Sequence, residues 1–580
     1  MNPPQTKRWR TLRRCLVGLA VCLTLIGLFY TVENWRGKRA WNNCKRAMQA
    51  QGVNLDWAAY IPASVPNDQN VFGVPEMQKW FTGRGTTELS KRLFYPGYGS
   101  TNRARLVLAE LTIVLPGTSA PSASGATVLQ WGDPQAKVEA ARLLKDALGP
   151  VVVDPIGSTR VLRSPEEIRP AQILLHCQSA PASAELLQFL PKPIANATFP
   201  DSEGIRVELT GSDSYKVTMA APDTVADYLK WSDQLEPQFA LIRQALQRPH
   251  ARMEGNYEEP SETPIPNFVT VRILVQMLAA RAQCYFLAGQ PEEALRDLTL
   301  MHDICRPVME ENKPMTLVAA MINVAVRGLY AQTIADGMRL QAWREPQLAT
   351  LEGQLKQINV LSPVQRAFEL EPVFLCHELG TKTPAQLAKL YLSYETDYKA
   401  NSWKAREISV LAALIPRGWV YQNRVTGAKL FPNLVACMDS AGQMVFPDKT
   451  SAYSAFKKQV DASSSHWSPY TFMASFGIPN YDKACQTTAR NQTMINQALI
   501  VCALERFRLA HGQYPETLDA LAPQFIAAIP HDVIGGQPLH YRRAADGTFL
   551  LYSVGWNGLD DGGTPGKSIT EGDWVWPVFP

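Results

Sequence analysis

The pattern of apolar and polar positions changes character several times along the chain. Residues 15–32 (CLVGLAVCLTLIGLFYTV) form an uncharged apolar run. At 1.5 Å per residue those eighteen residues cover about 27 Å as a helix, enough for a bilayer's hydrocarbon core. In 34–60, Trp41, Cys44, Met48 and Leu55 recur near a 3.5-residue spacing and predict a helix, broken at Pro62 and Pro66. Residues 105–222 read as mixed. Short β-like runs at 107–114, 151–153, 173–176, 205–209 and 215–219 alternate with Gly, Pro, Ser and Asp. A helix is expected at 134–148 and a loop at 116–125. From Asp223 the period becomes helical. Asp223 or Thr224 caps a helix to about Gln247, and a hairpin of helices at 268–288 and 291–305 turns around Gly289. Further helices follow at 315–340, 344–359, 362–378 and 384–412, with short connections that favour antiparallel neighbours. Residues 413–485 read as an irregular connection. From Gln486, Met494, Ile495, Ala498, Leu499, Cys502 and Leu509 stripe a helix that stops at Gly512. Two strand-like runs, 539–543 and 548–554, flank AADG as a hairpin, and a Gly/Asp loop follows.

Charge sharpens the N-terminal reading. The first 46 residues carry ten Lys/Arg and one acidic residue, Glu33, whereas the other 534 carry 47 basic and 52 acidic. The body therefore has no overall basic field, and no nucleic-acid partner is expected. Five basic residues precede the apolar run and five follow it. The tighter cluster, at Lys7 to Arg14, favours a cytoplasmic N-terminus with the bulk of the chain outside. The run ends in Phe29, Tyr30, Thr31, Val32, Glu33 without a small-x-small cleavage site, and Trp35 and Trp41 follow at interfacial depth. A retained signal anchor is the reading; a cleaved signal and a buried soluble helix are the alternatives. Elsewhere the stretch 408–415 is too short to span, and no second apolar run approaches 18 residues, so a single pass is expected.

With 46% hydrophobic and 19% charged residues, the composition is globular and excludes a disordered or collagen-like chain. The expected fold class is α+β, mostly helical. Its parts are a basic tail (1–14), a transmembrane anchor (15–32), a juxtamembrane helix and loops (33–104), a mixed α/β domain (105–222), a helical domain (223–412), the connection (413–485) and a C-terminal module (486–580). Ten cysteines show no CxxC or zinc-ribbon spacing. Cys437 with Cys485 is one pairing among several that the sequence leaves open.

Two resemblances rest on particular residues. RAQCYFLAGQPEEAL, through Ala282, Tyr285, Gly289, Ala294 and Leu295, resembles one tetratricopeptide-type repeat, although Met301 and Pro307 depart from the pattern and no second copy follows at a 34-residue period. ALERFRLAHGQYPETLDAL, IPHDVIGGQPLHYRR and FLLYSVGWNGLDDGG, in that order, are similar to the C-terminal part of the major pseudopilin of type II secretion systems. That resemblance covers about 80 residues and implies a long helix packed on a small antiparallel sheet. It also implies a structural calcium in the loop after the last matched strand, where Asn557, Asp560, Asp561 and Asp573 are the candidate oxygen ligands. A plain turn uses the same residue types. Pilus assembly is not implied, because more than 450 residues separate the apolar helix from this module. WRGKRAWNNCKRAMQAQG, VPNDQNVFGVP and IRQALQRPHARMEGNYE resemble segments of large bacterial membrane-anchored proteins, a likeness of architecture only.

The search for chemistry returns little. Walker A, G-x-G-x-x-G after a strand, H-E-x-x-H and G-x-S-x-G are all absent. Ser454 and Lys457 match S-x-x-K without its S-D-N and K-T-G companions. Glu369 and Glu371 with Arg366 fall on a predicted helix, where a solvated face is the plainer reading. No catalytic or cofactor-binding residue is assigned. The expectation is a non-enzymatic envelope protein in a bacterial inner membrane, its body in the periplasm. Residues 15–32 would meet the bilayer, and the body would bind or scaffold a protein partner. An envelope hydrolase with a dispersed site and an accessory component of a secretion or pilus-like machine are the alternatives.

Overall fold

The computed structural model describes residues 5–93, 225–309, 315–387, 412–465, 468–477 and 481–576, together with the backbone of five strands between 111 and 219. The protein is mostly helical, with small sheets and an N-terminal apolar helix. Helix α1 (Gln5–Ala50) is 46 residues long, about 69 Å, because nothing from the apolar run to Ala50 interrupts it. The expected juxtamembrane helix is thus the continuation of the apolar one. It stops before Gly52, whose φ of +80° takes the left-handed turn, and 57–60 form a separate 3₁₀ turn, Trp57–Tyr60. Short helices α2 (Pro75–Phe81) and α3 (Glu88–Arg92) follow.

The five strands β1 (Leu111–Val114), β2 (Thr127–Gln130), β3 (Gln172–His176), β4 (Ile205–Gly211) and β5 (Ser214–Met219) form one mixed sheet in the order β2-β1-β3-β5-β4. β1 runs parallel to β2 and β3, and β5 is antiparallel to β3 and β4. Four of these strands overlap the expected runs, whereas β2 falls where no strand was expected. The strand at 151–153, the helix at 134–148 and the loop at 116–125 lie outside the described residues.

The helix expected from Asp223 to Gln247 is two helices, α4 (Val225–Ser232) and α5 (Glu236–Ala245), with a 3₁₀ turn between them. Pro237 explains the break: without an N–H it belongs in the first turn of a new helix. Helices α6 (Phe268–Leu287) and α7 (Pro291–Asp303) make the expected hairpin. Asn267 caps α6 by accepting from the Thr270 N–H at 2.9 Å, Gly289 turns the chain at φ +69°, and Pro291 opens α7. Next come α8 (Cys305–Val308), α9 (Leu317–Arg339), α10 (Glu345–Leu355) and α11 (Leu361–Thr381). Most of the helix expected at 384–412 lies outside the described residues.

Residues 413–485, expected to be an irregular connection, are instead largely helical. They hold α12 (Arg417–Ala428), α13 (Leu430–Val435), the two-stranded pair β6 (Met438–Asp439) and β7 (Met444–Val445), α14 (Pro447–Ser465) and α15 (Phe472–Gly477). Helix α16 (Asp482–His511) ends on Gly512 at φ +80°, whose N–H reaches back to the Arg508 carbonyl at 2.8 Å. It lies on an antiparallel sheet of β8 (His540–Arg543), β9 (Phe549–Ser553) and β10 (Trp574–Val575).

One large hydrophobic core runs through the helices of the body to the C-terminal sheet, from Val71 and Phe72 through Val271, Leu298 and Leu348 to Ile495, Leu504 and Trp574. The borders expected near 412 and 486 do not interrupt it. Close approach is part of the reason: a Cβ on Gly328 of α9 would fall 2.1 Å from the Asn491 side chain of α16. Among the described residues two helices are long and apolar enough to cross a membrane, which corrects the expectation that no second run approaches that length. The apolar part of α1 is exposed on all sides, whereas α9 carries Arg327 and Asp336 and is largely buried inside the body.

Candidate functional site

The most specific constellation in the structure joins the apolar helix to the body. Within about one and a half turns of the apolar run, α1 meets the start of α12 with almost no side chain between them. A Cβ on Gly37 would lie 2.3 Å from the Gly418 carbonyl oxygen, and one on Gly418 would lie 2.1 Å from the Glu33 carbonyl oxygen. Neither glycine has positive φ, so backbone approach is what excludes a larger residue. Asn34 then accepts the Gly418 N–H at 2.7 Å, satisfying a backbone donor that the first turn of α12 leaves without an intrahelical partner.

Glu33 sits beneath this contact, 8% exposed. Its Oε2 accepts from the Trp419 indole N–H at 3.2 Å and from the Tyr470 hydroxyl at 3.3 Å, and Arg36 pairs with its Oε1 at 3.5 Å. Arg36 also stacks over the Tyr470 ring at 5.0 Å. Nearer the apolar end, Phe29 meets Trp419 edge to face at 6.3 Å, and the Tyr30 hydroxyl donates to the Leu414 carbonyl. Further along, Arg424 lies 4.0 Å over the Trp41 ring. Partners thus advance in step, 34 with 418 and 41 with 424, so α1 and α12 run parallel. Trp41 is 6% exposed, in a core with Met48, Trp57, Val373 and Ala428, which removes it from the expected interfacial belt; Trp35, 62% exposed, stays available for one.

The four calcium candidates share one loop, but their oxygens serve that loop. Asp573 is fully buried and accepts the backbone N–H groups of Gly563 at 2.7 Å, Thr564 at 3.2 Å and Asp561 at 3.3 Å. Asp560 accepts from Gly562 N–H and the Tyr552 hydroxyl at 2.9 and 3.0 Å, which hold its carboxyl below the usual range. Asn557 caps Leu559 N–H and donates to Asp561 at 3.3 Å. Among the described residues no group of three or more His, Cys, Asp or Glu forms a metal set. The four candidates thus lie on one loop that carboxylate–backbone bonds close. Asp532 of the IPHDVIGG segment has the same duty, accepting from Ile534 N–H, Ser553 hydroxyl and Val554 N–H at 2.8–3.1 Å, and burial raises its carboxyl pKa.

The other candidates also separate. On α14, Ser454 bonds Asp482, while Lys457 pairs with Asp461 at 2.6 Å; serine and lysine are committed to different carboxylates. Arg366 pairs with Glu369 at 3.2 Å. Glu371 departs from the solvated reading: it is partly buried and accepts from the Tyr481 hydroxyl at 2.9 Å, and burial pushes its pKa up. Of the cysteine pairings left open, Cys437 and Cys485 are both buried free thiols here, and the Cys437 thiol donates to the Asn433 carbonyl at 3.2 Å.

Sequence reasoning missed an ion cluster, centred on the buried Arg281 and Asp297, that pins the 3₁₀ turn Asp233–Leu235 and α5 to the α6–α7 hairpin. Arg281 reaches Asp297 at 3.3 Å, Asp233 at 3.3 Å and Glu236 at 3.5 Å, and bonds the Tyr285 hydroxyl at 2.7 Å. Arg243 adds Glu236 at 2.6 Å and Asp297 at 3.6 Å. Burial pushes Asp297 up to about 7 against the pull of both guanidiniums. Its sequence signal was a carboxylate one turn from Ala294, on the stripe that packs α7 inward. The junction residues had a fainter signal, a glycine inside a charged helix and another just after Pro416.

No protein-family model, curated protein or solved structure matches this chain.

Proposed function

We propose that the protein is a non-enzymatic, single-pass membrane protein of the bacterial envelope. In this reading the apolar part of α1 is a retained anchor in the inner membrane. The body is a periplasmic ectodomain that scaffolds or binds a protein partner. The observation that carries the reading is the junction itself. An apolar helix exposed on every side passes, without a break, into residues buried in the body's core. A cleavable leader has no reason to share a helix with core residues such as Trp41 and Met48, whereas a permanent anchor does. The body would then sit at a defined angle to the membrane, as a scaffold requires.

The non-enzymatic part rests on the engaged state of the chemically suggestive groups. Ser454, Lys457 and Asp573 each spend their polar atoms on structural partners. Hydrogen bonds and ion pairs of this kind stabilise a fold and hold each group away from the others. The topology is tested by fusing, after Pro580, a reporter active only outside the cytoplasm, and in parallel one active only inside it. Activity of the external reporter supports the proposal; activity of the internal reporter alone overturns it.

A further inference from the structure

The junction carries a consequence for the body's own surface. Helix α12 runs parallel to α1, so the chain just before it, from Ala412 to Pro416, lies alongside α1 in the direction of the apolar run. The Tyr30 hydroxyl donates to the Leu414 carbonyl, which fixes Leu414 at the level of Tyr30. Tyr30 is two residues, about 3 Å, inside the end of that run. At this level Leu414 is 62% exposed, Ala413 is also exposed, and Phe29 and Trp419 stack beside them. A leucine held in that position meets lipid if Tyr30 does.

The surrounding charges match. Arg36, Arg39 and Arg417 are exposed one to three turns further from the apolar end, where headgroup phosphates lie, and Arg39 stacks over the exposed Trp35 ring at 5.4 Å. An apolar tip, an aromatic collar and a basic ring are the sequence of environments met on leaving a bilayer.

We propose that the turn preceding α12 is a second membrane contact. Leu414 enters the acyl–headgroup boundary of an anionic phospholipid leaflet, and Arg36, Arg39 and Arg417 engage its phosphates. This rests on the anchor reading above and goes beyond it, because a tethered body need not touch the bilayer at all.

The test uses the full chain in vesicles of phosphatidylethanolamine and phosphatidylglycerol, with a photo-crosslinking side chain placed singly at three exposed leucines. Leu25 lies in the apolar run, Leu414 at the proposed seat and Leu559 on the C-terminal loop, 60%, 62% and 63% exposed. The proposal expects lipid adducts at 25 and 414, each at least about fivefold above 559. Adducts at 25 with position 414 no better than 559 would overturn the seat and leave the anchor standing. No adduct at 25 would overturn both.

Discussion

Gly37 and Gly418 lie where α1 and α12 approach so closely that neither can carry a side chain without moving a helix backbone: a Cβ on Gly37 would fall 2.3 Å from the Gly418 carbonyl oxygen, and one on Gly418 2.1 Å from that of Glu33. This contact turns an anchor into a rigid stem. Overpacking of this kind costs about 1–3 kcal/mol. Gly418→Ala should therefore lower the melting temperature in detergent and expose 33–50 to protease. Gly353→Ala is the control, because its Cβ meets nothing within 4 Å inside α10; it should raise stability by about 0.5–1 kcal/mol. Equal responses of the two variants would remove the close-packing argument.

Trp35 and Trp41 are six residues apart on one helix and lie in different surroundings. Trp41→Ala should cost about 3–5 kcal/mol, since it empties a core site and leaves Arg424 without its aromatic platform. Trp35→Ala in the same detergent should change stability by less than about 0.5 kcal/mol. Chemical denaturation of both variants decides the matter, and a large loss for Trp35→Ala would contradict the assignment.

Asp573→Ala should destabilise the C-terminal sheet by about 1–3 kcal/mol, because the buried carboxylate that accepts from the Gly563 and Thr564 N–H groups is lost. Asp573→Asn keeps an acceptor and should cost less. Since the carboxylates of this loop are already engaged, a chelator should leave the parent melting curve in place. A chelator-dependent drop in melting temperature would show that calcium, not the backbone, is what Asp573 holds.

Stability should also respond to the buried acid at Asp297, faced by Arg281, Arg243, Glu236 and Arg296. Its folded pKa of about 7 exceeds the unfolded value near 3.9. The folded state then binds the proton more tightly, so this contribution is complete below about pH 3.9 and is lost as pH rises through 7. Asp297→Asn cannot ionise and lacks that loss, although it leaves the guanidiniums unpaired at every pH. The stability difference between variant and parent should therefore move toward the variant, by on the order of 3 kcal/mol between pH 5 and pH 7.5. A difference that stays flat over that interval would place the ionisation elsewhere.

Much of the secondary structure was legible because local signals decide it. The Asn267 cap, Gly289 and Pro291 mark the α6–α7 hairpin without reference to anything distant, and Gly512 ends α16 in the same way. What escaped depended on long-range partners. Residues 413–485 show little periodicity because their helices are short or, like α14, are buried at only a few positions such as Thr450, Tyr453 and Val460. Trp41 is a plausible interface aromatic until Arg424, nearly four hundred residues away, is placed over it. Asp573 and its neighbours had ligand-like chemistry in sequence, but which oxygens are spoken for depends on the path of the loop.

The central claim is that the apolar part of α1 sits in a bilayer and bears the body directly. Extraction of membranes from cells expressing the full chain, with alkaline carbonate, tests it most directly. The account predicts that the intact protein stays with the lipid pellet, as the Gly418→Ala variant should too, since only its stem is loosened. Release of the intact chain into the supernatant would contradict the account.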